Sequence, residues 1–189
     1  MAKLGEIKKL INSTTETAFQ RAIFWNGETI RGKKTKIKWL DIELPVIPGD
    51  KSRRSSIDLI GKSGNRYVIC ELKFGKNSKT ECPDVAVKQL KGYYEQIKHN
   101  CDDLDKTDTH HKGCTSFKWK DLAFKKPILC VAANASYWAY WLGHRKTDIS
   151  KLKGVEFYSV DIPADTFKLQ KGNQDKYTPK IETNSWDIL

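Results

Sequence analysis

At 189 residues and 39% hydrophobic content, the chain is large enough for one globular domain, 1–189, with a substantial core. Thirty-four Lys and Arg against 23 Asp and Glu leave a formal net charge of +11, which favours a polyanionic partner. No apolar run approaches bilayer length, Met1 to Glu6 leads into an amphipathic helix instead of a signal peptide, and the five cysteines are an odd number; a cytoplasmic protein with reduced thiols and no membrane partner is expected.

In chain order, Ser13-Thr14-Thr15 can cap a helix through Glu16, Ala18, Phe19, Gln20, Ala22 and Ile23, with Glu16 and Gln20 beside its apolar stripe. Lys34, Lys36 and Lys38 then alternate with Thr35, Ile37 and Trp39, which puts three ammonium groups on one strand face. Next come Ser56 to Ile60, a polar break holding Gly64-Asn65, and Arg66 to Lys73, the pattern of an antiparallel hairpin. A loop at 62–65, or any other even loop, puts Ile57, Leu59, Val68, Cys70 and Leu72 on one face. Asp58, Ile60, Tyr67, Ile69, Glu71 and Lys73 fall on the other. Two carboxylates and an ammonium thus share a surface. Carboxylates held close repel unless a cation lies between them, and hard oxygen ligands suit magnesium or manganese. A lysine on the same face can hold a water or offset charge on a phosphate.

Pro83-Asp84 offers a helix start, and Ala86, Leu90, Tyr93, Tyr94 and Ile97 recur at helical spacing. Gln89 and Tyr93 are four apart and lie one above the other. From 99 to about 121 the chain is a polar insert in which His99, Cys101, His110, His111 and Cys114 are close in sequence, with Cys82 upstream. Zinc is conceivable there, but the spacings match no established ligand pattern and a flexible Asp/Lys-rich loop is the preferred reading. Pro127 to Ala133 reads as a buried strand, Ser136 to Leu142 as a short aromatic helix, and Val155 to Asp161 as a further strand, an order that lets the sheet gain parallel neighbours. Trp138 and Trp141 could stack on bases, with core packing preferred.

Asp58, Glu71 and Lys73 form a D...ExK signature, and a strand ending in ExK followed by a helix carrying Gln89 and Tyr93 as Q-x-x-x-Y resembles the RecB-like branch of the PD-(D/E)xK nuclease superfamily. Ile57 stands where that family has proline. The resemblance implies a restriction-endonuclease-like α/β core, a mixed central sheet flanked by helices, and magnesium- or manganese-dependent phosphodiester hydrolysis. It implies a metal held by Asp58, Glu71 and the Leu72 carbonyl, with Glu16, then Glu6, as the extra acidic ligand from the preceding helix. Lys73 would position or activate water and Gln89 would orient substrate or water. Lys34, Lys36, Lys38, Arg53, Arg54, Lys76 and Tyr93 are the nucleic-acid contacts expected, with DNA preferred over RNA. No cysteine follows Cys130, so the C-terminal cysteine grouping of iron–sulfur members is missing and no such cluster is expected. A binding module without turnover is the alternative function, and a homo-oligomer is left open.

Overall fold

The computed structural model describes residues 16–25, 27–31, 35–50, 55–75, 80–107, 109–111, 113–160 and 185–189. Its elements run α1 (Glu16–Trp25), β1 (Glu28–Arg31), β2 (Thr35–Pro45), β3 (Ser56–Ser63), β4 (Arg66–Lys73), α2 (Pro83–Lys106), α3 (Trp119–Phe124), β5 (Ile128–Asn134), α4 (Ala135–Trp138), β6 (Glu156–Val160) and β7 (Ser185–Ile188). A π-helical turn, Ala139–His144, extends α4, and a 3₁₀ turn covers Ile149–Lys151. Among the described residues no helix is long and apolar enough to cross a membrane.

The seven strands pair in chain order, and β1 pairs β7 in parallel through Ile30–Ser185 and Arg31–Trp186, so the sheet closes into a barrel. This overturns the expected restriction-endonuclease-like core, whose mixed central sheet is open and flanked by helices. The short edge strands β1 and β7 satisfy one another instead of facing solvent. Arg31 reinforces the closure by bonding Tyr158 and Glu156 of β6. Within the ring β4, β5 and β6 are mutually parallel, and the β1–β2, β2–β3, β3–β4 and β6–β7 pairs are antiparallel.

The β3–β4 hairpin turns on two residues, with Ser63 opposite Arg66 and Gly64 at φ 56°. A two-residue loop with glycine in the first central position matches strand twist. The loop is shorter than 62–65 but still even, so the division between faces survives. Leu59, Val68, Cys70 and Leu72 join Phe19, Ala22 and Ile23 of α1, with Trp39, Tyr158 and Trp186, in one buried cluster. Ile60, Tyr67 and Ile69 join Ala86, Leu90, Tyr93 and Ile97 of α2 in the other. Ile57 departs from expectation and packs with the α2 cluster. Gly61 is where the first cluster presses closest on the backbone: a Cβ there would lie 2.7 Å from Ile37 Cγ2 and 2.8 Å from Trp39 Cε3.

Helix α2 continues through 99–106, so the first part of the polar stretch is ordered helix, and Trp119 opens α3. The segment between α2 and α3 is organised by Asp41 of β2, whose side chain is fully buried. Its carboxylate accepts from His111 Nδ1 at 2.8 Å, His110 Nδ1 at 3.1 Å, and the backbone N–H groups of Ile42 at 2.8 Å and His111 at 3.2 Å. The other nitrogen of His110 faces the Phe117 carbonyl at 3.2 Å. Burial raises the Asp41 pKa, but the histidine bonds outweigh it and hold the carboxyl below its ordinary range. The same burial and the neighbouring Asp41 push the Cys114 thiol up to about 12.

Candidate active site

A cleft of about 630 Å³ opens where the start of α1, the ends of β3 and β4, and the start of α2 meet. Its lining includes Glu16, Gln20, Asp58, Glu71, Lys73, Gln89 and Tyr93, so residues from four elements spread over more than seventy positions meet there. The hairpin register does much of this. Leu59 pairs Cys70, so one step further Asp58 lies opposite Glu71. Asp58 Oδ2 accepts from the Leu72 N–H at 2.7 Å, which fixes the carboxyl against β4.

Glu16, the first residue of α1, reaches over to accept from the Phe74 N–H at 3.0 Å just past β4. One turn along the helix, Gln20 donates to the Asp58 carbonyl at 2.8 Å and to Asp58 Oδ1 at 3.3 Å. With the amide of Gln89 oriented so that its nitrogen faces acceptors, it donates to Glu71 Oε1 at 3.2 Å and Glu81 Oε2 at 3.3 Å, and its oxygen accepts from the Tyr93 hydroxyl at 2.7 Å. Lys73 Nζ sits between Glu71 Oε1 at 2.8 Å and Glu81 Oε2 at 2.9 Å.

Glu71 and Lys73 are only 3% and 5% exposed, so the hairpin surface that carries them is enclosed at this end. Burial raises Glu71 to about 7, even with Lys73 beside it pulling the other way. Burial and then the charge of Glu71 drive Asp58 well above the usual carboxylate range, and burial raises Glu16 too. Burial works against the Lys73 ammonium, but Glu71 and Glu16 outweigh it and hold the proton more firmly than usual. Lys73 is therefore a cation in this state and not a base.

Two of the lining residues carry acids that the motif left out, Glu43 and Glu81. Among the described residues five carboxyl groups face the cleft, with Lys73 as the ammonium among them. Among the described residues no three His, Cys, Asp or Glu side chains are gathered as a ready metal cage. The fit of a divalent cation rests instead on that excess of carboxyl over ammonium and on the three raised carboxyls, each of which a nearby cation would return to the ionised form.

The expected nucleic-acid contacts divide. Lys36 and Lys38 are exposed on one face of β2 while Ile37 and Trp39 are buried on the other, and Lys36 pairs with Glu28 at 3.4 Å. They lie toward the far end of β2 from Glu43, about 16 Å for Lys38 at strand rise. Tyr93 is buried at the cleft wall. Lys34, Arg53, Arg54, Lys76 and Glu6 lie outside the described residues. Trp138 is core, its indole N–H donating to the Tyr158 carbonyl at 2.8 Å. His99 is exposed on α2 and Cys101 is buried, so the histidines and cysteines between 99 and 114 divide between the helix and the Asp41 cluster. Glu81 and Glu43 carried little signal in the sequence, one lying in a loop before a helix and the other in a strand of mixed pattern. Comparison with protein-family models, curated proteins and solved structures finds no match.

Proposed function

We propose that this chain is a divalent-metal-dependent nuclease that hydrolyses phosphodiester bonds, with DNA preferred over RNA, and that it uses D...ExK chemistry of the PD-(D/E)xK kind. The observation that carries the reading is the meeting of Glu16, Asp58, Glu71, Lys73 and Gln89 in one cleft with three carboxyls whose protonation is raised. A phosphate would be repelled by the acids alone. Asp58, Glu71 and Glu16, with the Leu72 carbonyl, would hold magnesium or manganese, which supplies Lewis-acid stabilisation of phosphoryl oxygens and lowers the pKa of water.

The remaining work falls to the chain itself. Gln20 and the Leu72 N–H hold Asp58 in place from two sides, so the carboxyl presents a fixed edge to the cleft. The Lys73 ammonium can orient water and stabilise charge that develops on the phosphate. Gln89, tied to Tyr93 through its oxygen, can turn N–H donors toward water or a phosphate oxygen. Linear, circular and single-stranded DNA should be cut with magnesium or manganese, not with chelator, and not by Asp58→Asn. DNA bound but uncut under all metal conditions would replace this reading with the binding module.

A further inference from the structure

A second feature of the cleft lies behind Glu43. This residue falls between the Ile42–Leu59 and Leu44–Ile57 pairs of the β2–β3 ladder, so it stands opposite Asp58. Its backbone has φ 52°, a left-handed conformation that costs a residue with a side chain on the order of 1–2 kcal/mol. Its carboxylate lines the cleft, and Arg21 Nη2 contacts both oxygens, at 3.2 and 3.5 Å. Arg21 follows Gln20 on α1 and is 7% exposed. Its Nε and Nη1 are buried and have no hydrogen-bond partner.

A buried guanidinium that spends one nitrogen on a lengthened contact and leaves two others unmet is poorly matched to its carboxylate. Arginine's fork fits two oxygens of a tetrahedral anion or a carboxylate through parallel N–H bonds, and an unmet buried donor leaves a desolvation penalty that a better anion would relieve. Glu43 marks the place of that anion: an oxygen in the position of its carboxylate is within hydrogen-bonding range of Arg21 and inside the cleft that holds Asp58.

We infer that Arg21 is a phosphate-binding residue and that Glu43 is its internal substitute, which a phosphate group of the bound strand displaces. The source is a backbone phosphate one position from the scissile one, an assignment that rests on the nuclease reading; the Arg21 site itself requires only a phosphate. The exchange makes entry selective, because a ligand without an anionic group at that point cannot release Glu43 from Arg21.

The test is a double-mutant cycle on the full chain with Glu43→Gln, Arg21→Lys and both together, read by anisotropy of a labelled oligothymidylate in calcium. Glu43→Gln should bind about tenfold more tightly, the yield of one charge-assisted hydrogen-bonded contact, and its log–log salt slope should steepen by about 0.7 for a single strand. In the Arg21→Lys background the same change should give little gain, because the fork is gone. An equal gain in both backgrounds would mean that only a negative charge had left the cleft, and would overturn the inference; so would no gain in Glu43→Gln. Glu43→Gly, which suits φ 52°, repeats the test if the glutamine variant folds poorly. Thermal stabilisation by inorganic phosphate without DNA should track the same order of variants. Phosphate stabilisation in that order from a protein that never cuts DNA would sink the nuclease reading and uphold Arg21 as a phosphate site. Cleavage without the Arg21-dependent gain would do the reverse.

Discussion

The raised protonation of Glu71 makes the cleft a load on stability whose pH dependence can be worked out. Its ordinary value is 4.5 and its folded value about 7. Between these, the folded state binds the proton more tightly than the unfolded chain, so this contribution is fully present below pH 4.5 and is lost as pH rises through 7. The difference corresponds to about 3 kcal/mol, which for a chain of this size is roughly 10 °C in Tm. Glu16 and Asp58 shift in the same direction and add to the loss. Metal-free protein should therefore weaken between pH 5 and pH 8, and Glu71→Gln should weaken less, the difference between the two reporting Glu71 together with the part of the Asp58 shift that its charge causes. A divalent cation should reverse the loss, since it binds only the ionised carboxylates; at a hundred times its Kd it restores about 2.7 kcal/mol. The assay is urea unfolding at both pH values with chelator and with magnesium. Parallel pH profiles for the parent and Glu71→Gln, or magnesium stabilisation that is as large at pH 5 as at pH 8, would refute the reasoning.

Gln89→Ala should lower single-turnover cleavage by tenfold or more, about 1.4 kcal/mol, while affinity in calcium changes less, because a carboxamide brings no net charge to hold the ground state. Lys73→Ala should abolish cleavage and, since it strands Glu71 and Glu81 without their shared ammonium, should cost about 3–5 kcal/mol at pH 8 by urea unfolding and less at pH 5. Asp41→Ala should cost about 1–3 kcal/mol because it leaves the buried His111 ring and the Ile42 and His111 N–H groups without their acceptor; in the parent, the stability from Asp41 is present above pH 3.8 and lost as pH falls through its lower folded value, a loss the variant should lack.

The parts of the site that could be read from the sequence are those governed by a local period. A strand alternates faces, so Asp58, Glu71 and Lys73 had to share one whatever the even loop length, and a helix repeats every three to four residues, so Gln89 and Tyr93 had to touch. The caps place the start of the helix that carries Glu16, and the choice of Glu16 as an acidic ligand comes from the family resemblance. The closure of the sheet was not legible. It depends on four-residue strands, Glu28–Arg31 and Ser185–Ile188, too short for alternation to rise above composition, and on a pairing between the two ends of the chain. Glu43 was hidden for a different reason: its side chain reaches the cleft through a left-handed backbone that no alternation rule anticipates. Glu81 depends on the path of a loop.

The hairpin face that alternation assigns to Asp58, Glu71 and Lys73 is enclosed at one end, and that enclosure decides what its charges do. On an open surface an Asp, a Glu and a Lys at such spacing are screened by water and interact by tenths of a kcal/mol. With Glu71 and Lys73 at 3% and 5% exposure and Asp58 half-buried beside them, the same three groups cannot all take their ordinary states: two carboxyls rise, the lysine keeps its proton, and Gln20, Gln89 and two backbone N–H groups hold the carboxyl and carbonyl oxygens. A fold selected for stability alone would replace such a cluster with apolar side chains of similar volume, often at no loss. Among the described residues five acids surround one ammonium, and under the proposed function a further cation would complete that charge; Lys36 and Lys38, toward the other end of β2, leave the carboxylates open to it.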